Sequence, residues 1–507
     1  MSSRDKIWPG RGRGRGRGWK ERPLQQELPA ADPDCGVTIP DFARLNATAT
    51  TCARRGAHAD CVCGLPRTRV VLRAEASGRL VAGFPGGGEL FAIASTGRMP
   101  LERTALELVP ADDGSPWFSL RHGAQHVVVL PAGAPRGRGM VLLVPPSAVA
   151  DGNDRFCATR THLYSAATRG FINLRKQVNL RGLHRGVPEE AGPSGRIALL
   201  QVRDSELEAD AARWRCKRQS PAARRGTATG GAAALHVVTY ATRATPMLCD
   251  ALLVNALTGV RITLLGWGET YRGNFQKLRG ARSHVGALPP NDLVLFADAY
   301  DVLYAADAAA IAKRYAALVA AGVGGPGRVT FMAERGCWPD WDMALGREWC
   351  RRTYPPAPTP YRYVNSGVWL GRADDAHALL ADLEAYTPGL DDQHVVSHMF
   401  VDEPHRFALD YNATLFQSLQ GEHKVKAPAG ATVVNPLTRT HPLVVHFNGG
   451  AKRQFNSFRD ALIAAAPRRC VAADATLGTA GADPLPLATV CPQHALLRQH
   501  TCGATAS

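Results

Sequence analysis

The stretch LVLFADAYDVLYAAD, residues 293–307, begins as an apolar run and then places Asp298 and Asp301 three positions apart. In a straight strand, side chains three positions apart face opposite sides of the sheet. The two carboxylates can therefore share a ligand only if the chain turns at Ala299-Tyr300. With that turn, a divalent cation such as Mn²⁺ or Mg²⁺ offsets their mutual repulsion. Without it, both aspartates are solvated caps at the surface, and the stretch alone leaves both interpretations open.

Strand-like and helix-like segments alternate on both sides of this stretch. LHVVTYATR, VRITLLGWG and RVTFMAE are typical of strands, and PMLCDALLVNALTG, NFQKLRGARSHVGAL and AAAIAKRYAALVAAG are typical of helices. This alternation predicts βαβ units and a mostly parallel sheet covered on both faces. Ligands of such sheets bind beyond the carboxyl ends of the strands, so polar residues at strand ends are candidates for a site.

Other polar residues of this region lie at predicted element ends. They are Glu334 after RVTFMAE, Asn365 at the start of a strand, Asp391 and Asp392 at a helix start, His446 after PLVV, and Lys452 in the small-residue loop that follows. A lone histidine after a strand is more often structural than a ligand, but here a cation suited to phosphate oxygens follows it. Together with Asp298 and Asp301, the set predicts a metal-diphosphate site.

Composition sets the limits of the whole chain. Its 507 residues are 45% hydrophobic, which is enough for two or three domains. No run approaches the roughly 20 apolar residues of a transmembrane helix. The formal charge of +16 suits an anionic partner, but much of the arginine lies in Ala/Gly/Pro-rich segments, so the charge does not select one. Nucleic acid is not the expected partner.

The texture of the sequence divides the chain into five regions. Residues 1–65 form a predicted disordered basic leader with GRGRGRGRG at 10–18, for which a flexible leader is favoured over specific RNA binding. The other regions are an all-β module at 66–195, a linker at 196–232, the α/β domain at 233–460 and a cysteine-containing tail at 461–507.

Within the predicted β module, a strand twice reaches Leu-Arg and is followed by a turn and a second apolar strand, in VVLRAEASGRLVAG and FSLRHGAQHVVVL. These repeats resemble those of β-trefoil domains of the fascin-like or lectin-like kind, which bind sugars or other proteins. A β-sandwich is the alternative.

The twelve cysteines follow no zinc-binding spacing. Cys470, Cys491 and Cys502 lie in the tail, which would gain from cross-links in an oxidising compartment. The sequons at Asn46 and Asn412 point the same way. The N-terminal residues contain no apolar segment typical of a signal peptide.

Several motifs of the α/β region stand together in one order. FADAYDV, AERGCWPDW, YVNSGVWLG, DDQ, LDYNATLFQSL and VVHFNGGAKRQFN follow one another between residues 233 and 460. In this order and spacing they resemble the glycosyltransferase domain of the procollagen lysyl hydroxylase/glycosyltransferase family. The resemblance implies an α/β GT-A fold, which is Rossmann-like, with a UDP-sugar donor and Mn²⁺. It also implies transfer of galactose to hydroxylysine, or of glucose to galactosyl-hydroxylysine, of collagen-like protein in the lumen of the endoplasmic reticulum or Golgi.

The resemblance also assigns roles to individual residues. Asp298, Asp301 and His446 match the metal ligands, and Tyr300 matches a residue that stacks on the uridine. Thr242 and Lys277 match donor contacts, and Asn365 and Lys452 match donor or phosphate contacts. Trp338 matches a tryptophan beside the donor sugar, and Asp391 and Asp392 match acidic residues on the acceptor side.

Some of these roles have alternatives. Asp391 and Asp392 either activate the acceptor hydroxyl, stabilise an oxocarbenium-like ring, or cap a helix. Trp338 has either a packing role or a gating role beside the donor sugar. The family has a longer acidic run before the glutamine of DDQ. The 47 residues after position 460 are too few for an iron/2-oxoglutarate dioxygenase core, so no hydroxylase activity is expected. A glycan or non-collagen acceptor, and a degenerate transferase serving as a carbohydrate-binding scaffold, are the alternative functions.

Overall fold

The computed structural model describes a β-rich module followed by an α/β domain. The basic leader predicted for residues 1–65 lies outside the described residues apart from Cys61 and Leu65. The described residues are 61, 65–74, 79–82, 88–89, 91–92, 101, 104–113, 115–129, 141–144, 146–149, 153–158, 162–167, 170–175, 179–182, 197–219, 233–340, 346–384, 391–428, 432–468, 470–472, 474–479 and 483–502.

Antiparallel strands build the β module, residues 66–202, and confirm the all-β prediction. The pairings run from β1 through β2, β4, β12, β11, β10, β9, β6 and β5 back to β1, so the ladder closes on itself. Alternate residues of the strands, such as Val70, Leu72 and Leu108, are buried in one apolar core. The strands are β1 (Thr68–Ala74), β2 (Arg79–Ala82), β3 (Gly88–Glu89), β4 (Phe91–Ala92), β5 (Leu106–Pro110), β6 (Phe118–His122), β7 (Gln125–Val129), β8 (Val141–Val144), β9 (Phe156–Ala158), β10 (Leu163–Ser165), β11 (Gly170–Arg175), β12 (Asn179–Gly182) and β13 (Ile197–Val202).

The module extends beyond the boundary predicted at residue 195. Strand β13 lies in the region predicted as a linker, yet it pairs antiparallel with β1 from Val202 opposite Arg69 to Ile197 opposite Ala74. Apolar side chains at Ile197, Leu200 and Val202 are buried, which is why this segment joins the sheet. Helix α1 (Asp204–Gln219) follows, so strand β13 is the part of the region 196–232 that departs from the predicted linker.

The α/β domain is built on an eight-stranded mixed sheet with the order β20-β18-β19-β16-β14-β15-β23-β24. The eight strands of this sheet are β14 (Leu235–Tyr240), β15 (Ile262–Leu265), β16 (Leu293–Asp298), β18 (Val329–Glu334), β19 (Tyr363–Arg372), β20 (Phe407–Asp410), β23 (Thr476–Thr479) and β24 (Leu485–Pro486). Its helices are α2 (Pro246–Thr258), α3 (Phe275–Val285), α4 (Ala308–Ala320), α5 (Gly346–Thr353), α6 (Ala373–Leu383), α7 (Asp392–Asp402), α8 (Phe455–Ala465), α9 (Leu487–Val490) and α10 (Ala495–Gln499).

Strand β19 departs from the predicted, mostly parallel order. It runs antiparallel to both β16 and β18, whereas β14 is parallel to β15 and β16, and β18 is parallel to β20. An antiparallel strand brings its beginning to the edge where its neighbours end. Asn365, near the start of β19, therefore lies at the same edge as Asp298 and Glu334.

Local sequence signals fix the predicted helices. Thr245 caps α2 by accepting a hydrogen bond from the Leu248 backbone N–H at 3.1 Å, and proline occupies the first turn. Gly259 ends α2 at φ 88°, in the left-handed region that favours glycine. Asp307 caps α4 through the Ala310 N–H at 2.7 Å. These caps explain why the helix starts could be predicted from sequence.

The segment 293–307 does not continue as one strand. Strand β16 ends at Asp298, the chain bends at residues 299–301, and β17 (Val302–Tyr304) enters a separate sheet with β22 (Val444–His446) and β21 (Phe416–Ser418). In that sheet Val302 lies opposite His446. The turn predicted at Ala299-Tyr300 is confirmed, and it brings the end of β22 beside the end of β16.

The tail packs into the core of the α/β domain. Strand β23 pairs in parallel with β15, and Val471, Leu477, Leu487 and Leu497 are buried in the core of the main sheet. Among the described residues, disulfide bonds join Cys470 to Cys502, Cys491 to Cys249, Cys337 to Cys350 and Cys61 to Cys157. One of these bonds closes within the tail, and another ties the tail to α2.

In the part of the chain that the structure describes, no helix is both long and apolar enough to cross a bilayer.

Candidate active site

A cavity of about 1010 Å³ opens at the carboxyl edge of the main sheet. Its walls come from the ends of β14, β16 and β18, the start of β19 and the end of β22. The structure brings together every site residue that the sequence predicted, since all of them line this cavity. They are Thr242, Lys277, Asp298, Tyr300, Asp301, Trp338, Asn365, Asp391, Asp392, His446 and Lys452.

Two aspartates and a histidine form the centre of the cavity. His446 Nε2 lies 3.4 Å from Asp301 Oδ1 and 3.7 Å from Asp298 Oδ2. Asp301 and His446 are buried, whereas Asp298 is partly exposed to the cavity. The three side chains come from two sheets, and the bend at 299–301 is what makes them converge.

The backbone and side chains around His446 fix its imidazole. Its Nδ1–H donates to Asn365 Oδ1 at 3.2 Å, which directs Nε2 toward the two carboxylates. Gly367 leaves the room for this arrangement, since a Cβ at that position would lie 2.7 Å from Asp298 Oδ2. Asn365 Oδ1 is itself held by the Gly367 N–H at 3.0 Å.

The electrostatic environment keeps the carboxylate of Asp301 ionised. Burial alone would raise its pKa, but His446 and Lys452 outweigh burial and hold the pKa well below its usual range. Burial would lower the pKa of His446, but Asp301 and Asp298 reverse the effect and raise it. The cluster thus presents charged oxygens, the form that binds a cation.

Two lysines flank this cluster. Partly buried Lys277 places Nζ 2.8 Å from Asp298 Oδ1 and 3.0 Å from Asp392 Oδ2. Burial opposes its charge, but the two carboxylates outweigh burial, so the pKa of Lys277 is raised. Lys452 lies 3.2 Å from Asp301 Oδ2, and about half of its side chain is exposed. Lys277 therefore links two parts of the wall, and Lys452 is the more accessible cation.

Asp391 and Asp392 differ in their surroundings. Asp391 is the N-cap of α7 and accepts a hydrogen bond from the Gln393 N–H at 3.0 Å, so the predicted helix start is confirmed. Burial and neighbouring Asp392 raise the pKa of Asp391. Asp392 is buried and accepts from Ser366 Oγ at 3.3 Å in addition to pairing with Lys277. The carboxylate of Asp392 is therefore occupied by structural contacts.

The remaining predicted residues lie on the wall. Trp338 is 48% exposed, so its ring is not part of a packed core. Its carbonyl oxygen accepts from Gln393 Nε2 at 3.0 Å. The Tyr300 hydroxyl donates to the Arg243 carbonyl at 3.3 Å, and the neighbouring Thr242 carbonyl accepts from the Gly268 N–H at 3.1 Å.

One network near the site could not be predicted from sequence. Buried Glu334 accepts hydrogen bonds from Gln393 Nε2 and, at 2.8 Å, from Asn448 Nδ2. Burial nevertheless raises the pKa of Glu334 to about 7. Its place at the end of β18 was the only signal in the sequence, because its partners lie 59 and 114 positions away. Other cavity residues that were not predicted are Tyr240, Arg243, Glu269, Tyr271, Asn274 and Gln420.

The donor set at the centre of the cavity fits a divalent cation. Two carboxylates and an imidazole with a fixed tautomer suit Mn²⁺, and three protein ligands leave positions for oxygens of water or phosphate. The space that glycine preserves at position 367 adjoins both Asp298 and His446. Asp298, Asp301 and His446 would hold the ion.

A mixed α/β sheet with this cluster at its carboxyl edge defines a GT-A-like glycosyltransferase domain. Residues 231–466 match the family model described as the PLOD GT domain, so this part of the chain is similar to that family. The predicted resemblance is confirmed.

Known relatives share the same region. The chain is 28% identical over 240 residues to "Multifunctional procollagen lysine hydroxylase and glycosyltransferase LH3" of Homo sapiens, covering 44% of this chain and 30% of that protein. It is 29% identical over 241 residues to the "Multifunctional procollagen lysine hydroxylase and glycosyltransferase" of Caenorhabditis elegans, covering 44% of this chain and 31% of that protein. The match thus spans less than a third of the length of these relatives.

Among solved structures, the glycosyltransferase GlyE of Streptococcus pneumoniae TIGR4 is 13% identical, with a TM-score of 0.23 over 43% of this chain and 56% of that chain. A similarity at this level adds nothing to the assignment of the fold.

Proposed function

We propose that the α/β domain is a metal-dependent glycosyltransferase that moves galactose or glucose from a UDP-sugar to a hydroxylysine-type or glycosylated acceptor in collagen-like protein. One observation carries the proposal: two carboxylates, a histidine and two lysines converge at the carboxyl edge of the sheet. The family match of residues 231–466 supports the transferase class.

The charges of the site suit a nucleoside diphosphate. Bound at Asp298, Asp301 and His446, Mn²⁺ or Mg²⁺ would supply Lewis-acid stabilisation of the negative charge that develops on the departing UDP. Lys452, accessible beside Asp301, is the side chain that would neutralise a remaining phosphate oxygen. Lys277 holds Asp298 in position from the opposite side.

The acidic pair divides into two roles. Asp391 lies at the cavity wall with a raised pKa, which suits a group that accepts the proton of the acceptor hydroxyl. Asp392 is held by Lys277 and Ser366, so it positions the helix start and Lys277. This division leaves one carboxylate for the acceptor, which agrees with the short acidic run before Gln393.

The aromatic residues of the wall suit the rest of the donor. Tyr300 lies between the two aspartates with its hydroxyl anchored, so its ring is available to the uracil base. Thr242 is the adjacent donor contact, and Asn365 both orients His446 and lines the cavity. Exposed Trp338 covers the sugar side next to Asp391.

Two further features extend the proposal. Four disulfide bonds among the described residues are typical of proteins that fold in an oxidising compartment such as the lumen of the endoplasmic reticulum or Golgi. The β module, with its closed antiparallel ladder, is proposed to be a β-trefoil that binds glycan or the protein acceptor.

The test is a screen of UDP release. Full-length protein is incubated with Mn²⁺, UDP-galactose or UDP-glucose, and collagen-like peptides that carry lysine, hydroxylysine or galactosyl-hydroxylysine. Transfer to one of the modified peptides, detected by mass spectrometry, is the expected result. Asp301→Asn should lose it, whereas Asp460→Asn, at an exposed carboxylate that pairs with Arg459, should keep it.

The outcomes separate the alternatives. UDP release by hydrolysis without transfer to any collagen-like peptide contradicts the collagen-like acceptor but not the assignment as a glycosyltransferase. Free glycans and non-collagen glycoproteins are then the next acceptors to screen. Binding of UDP without turnover of either donor contradicts the enzyme and favours a carbohydrate-binding scaffold.

A further inference from the structure

A second cluster of ligand-type side chains lies outside the transfer cavity. Asp340, His394 and His398 are all buried, and one ligand atom from each lies within 4.8 Å of the others. His394 Nδ1 is 2.7 Å and His398 Nε2 is 2.9 Å from the same oxygen, Asp340 Oδ1. None of the three lines the cavity that holds Asp298 and His446.

The fold places these residues together by two local features. His394 and His398 are four positions apart on α7, which sets both imidazoles on one face of the helix. Asp340 lies on the segment that follows β18 and approaches that face. The Trp349 ring stacks on His398 with 4.2 Å between the ring centroids, which fixes the plane of that imidazole.

The second oxygen of Asp340 gives an independent sign of a ligand. Asp340 is 3% exposed, and Oδ2 is buried without a hydrogen-bond partner in the described part of the chain. A buried carboxylate normally satisfies both oxygens, and leaving one unsatisfied costs free energy.

A divalent cation would satisfy this oxygen. Nitrogen and oxygen ligands of Zn²⁺ lie at about 2.0–2.2 Å in a tetrahedral arrangement, so opening each oxygen–nitrogen distance by about 0.5 Å would admit the ion. Two imidazoles and a carboxylate are a donor set that zinc accepts, and Asp340 Oδ2 could supply the fourth position.

We propose that Asp340, His394 and His398 form a buried structural site for a divalent transition-metal cation of the Zn²⁺ type, separate from the Asp298–Asp301–His446 cluster.

The site would hold one wall of the cavity together. Gln393, next to His394, donates to the carbonyl of Trp338, two residues before Asp340. The disulfide between Cys337 and Cys350 constrains the same segment. A cation at Asp340 would therefore fix the segment that carries Trp338 against the helix that begins with the acidic pair, without touching the reacting groups.

The test measures metal binding and does not depend on transferase activity. Full-length protein carrying Asp298→Asn and Asp301→Asn, which disrupts the cavity cluster, is stripped with a chelator and titrated with Zn²⁺ or Co²⁺. We expect one Zn²⁺ per chain by elemental analysis, and a visible Co²⁺ spectrum typical of tetrahedral nitrogen and oxygen ligands. His405→Gln, at an exposed histidine close to the end of α7, is the matched control and should change neither result.

Asp340→Asn in the same background is the decisive variant. The amide oxygen can still accept from both histidines, so a cluster held only by hydrogen bonds would keep its fold, whereas cation affinity should fall by more than about 100-fold, beyond the usual effect of losing an outer-shell partner. Unchanged affinity in this variant overturns the proposal. If this variant does not fold, the result for the protein with Asp298→Asn and Asp301→Asn alone tests the proposal. If that protein binds no Zn²⁺ and gives no tetrahedral Co²⁺ spectrum, Asp340, His394 and His398 form a hydrogen-bonded cluster only, and the proposal is overturned.

Discussion

Gly367 provides a sharp test of the metal cluster, because its substitution changes no charge and no ligand. A Cβ in Gly367→Ala would lie 2.5 Å from His446 Cε1 and 2.7 Å from Asp298 Oδ2, where 3.4 Å is an ordinary contact. Relief requires these side chains to move by about 0.7–0.9 Å, more than the roughly 0.2 Å that ligand distances tolerate. Overpacking of this kind costs about 1–3 kcal/mol, which corresponds to about 5–150-fold in the Kd of the cation.

The assay is calorimetric titration of Mn²⁺ into full-length wild type and variant, with Gly371→Ala as the matched control. Gly371 lies on the same strand, but a Cβ there would meet atoms of Val329 at 3.2–3.4 Å and no ligand. The control should lose some stability and keep its Mn²⁺ affinity. Mn²⁺ binding by Gly367→Ala within about twofold of wild type, or equal weakening in both variants, would contradict a role of Gly367 in keeping space for the metal ligands.

Three further predictions concern stability, measured by chemical denaturation of the protein without added metal. Lys277→Met leaves the buried carboxylate of Asp392 without its cation and should lower the free energy of unfolding by about 3–5 kcal/mol; a loss below about 1 kcal/mol contradicts the buried pairing. Burial raises the pKa of Glu334 from 4.5 to about 7, so between these values the folded protein holds a proton that the unfolded chain has released. The free energy of unfolding should therefore fall as the pH rises through this window, by up to about 3 kcal/mol, and Glu334→Gln should flatten the fall; parallel pH profiles would count against a raised pKa. Replacing Cys249 and Cys491 by serine removes a bond between residues 242 positions apart and should cost about 2–5 kcal/mol, whereas an unchanged midpoint would show that the tail needs no tether.

The strands and helices of the α/β domain could be predicted because their signals are local. Apolar runs, capping residues such as Thr245 and Asp307, and the glycine after α2 each act within a few positions. The bend after Asp298 could be predicted for a different reason, since two carboxylates three positions apart converge only if the strand stops.

Other features depend on contacts between distant parts of the chain. No pattern within YRYVNSGVWLG indicates that β19 runs antiparallel to its neighbours, because the direction of β19 is set by its pairing with β16 and β18. The predicted end of the β module at residue 195 was wrong for the same reason. Strand β13 joins the module by pairing with β1, which lies more than a hundred positions earlier in the chain. The partner of Cys491 likewise lies in α2 and not in the tail.

In the candidate site, too, local signals could be predicted from the sequence and contacts between distant elements could not. Strand ends and family motifs together located every predicted side chain on one cavity wall. They did not reveal that Lys277 bridges Asp298 and Asp392, or that His394 and His398 face Asp340, since each contact joins separate elements. Residue types at strand ends therefore indicate where a functional site lies, and pairing between distant elements decides which of its side chains contact one another.

Whether Asp298, Asp301 and His446 form a metal-diphosphate site is tested by the binding of UDP with and without Mn²⁺, measured as a thermal shift of the full-length protein. Wild type should be stabilised by UDP plus Mn²⁺ by about 2.7 kcal/mol at a ligand concentration of 100 times the Kd, and much less by UDP alone. Asp301→Asn should lose the Mn²⁺-dependent part, and Asp460→Asn should retain it. Equal stabilisation of wild type with and without Mn²⁺, or full stabilisation of Asp301→Asn, would contradict a metal-diphosphate site at Asp298, Asp301 and His446.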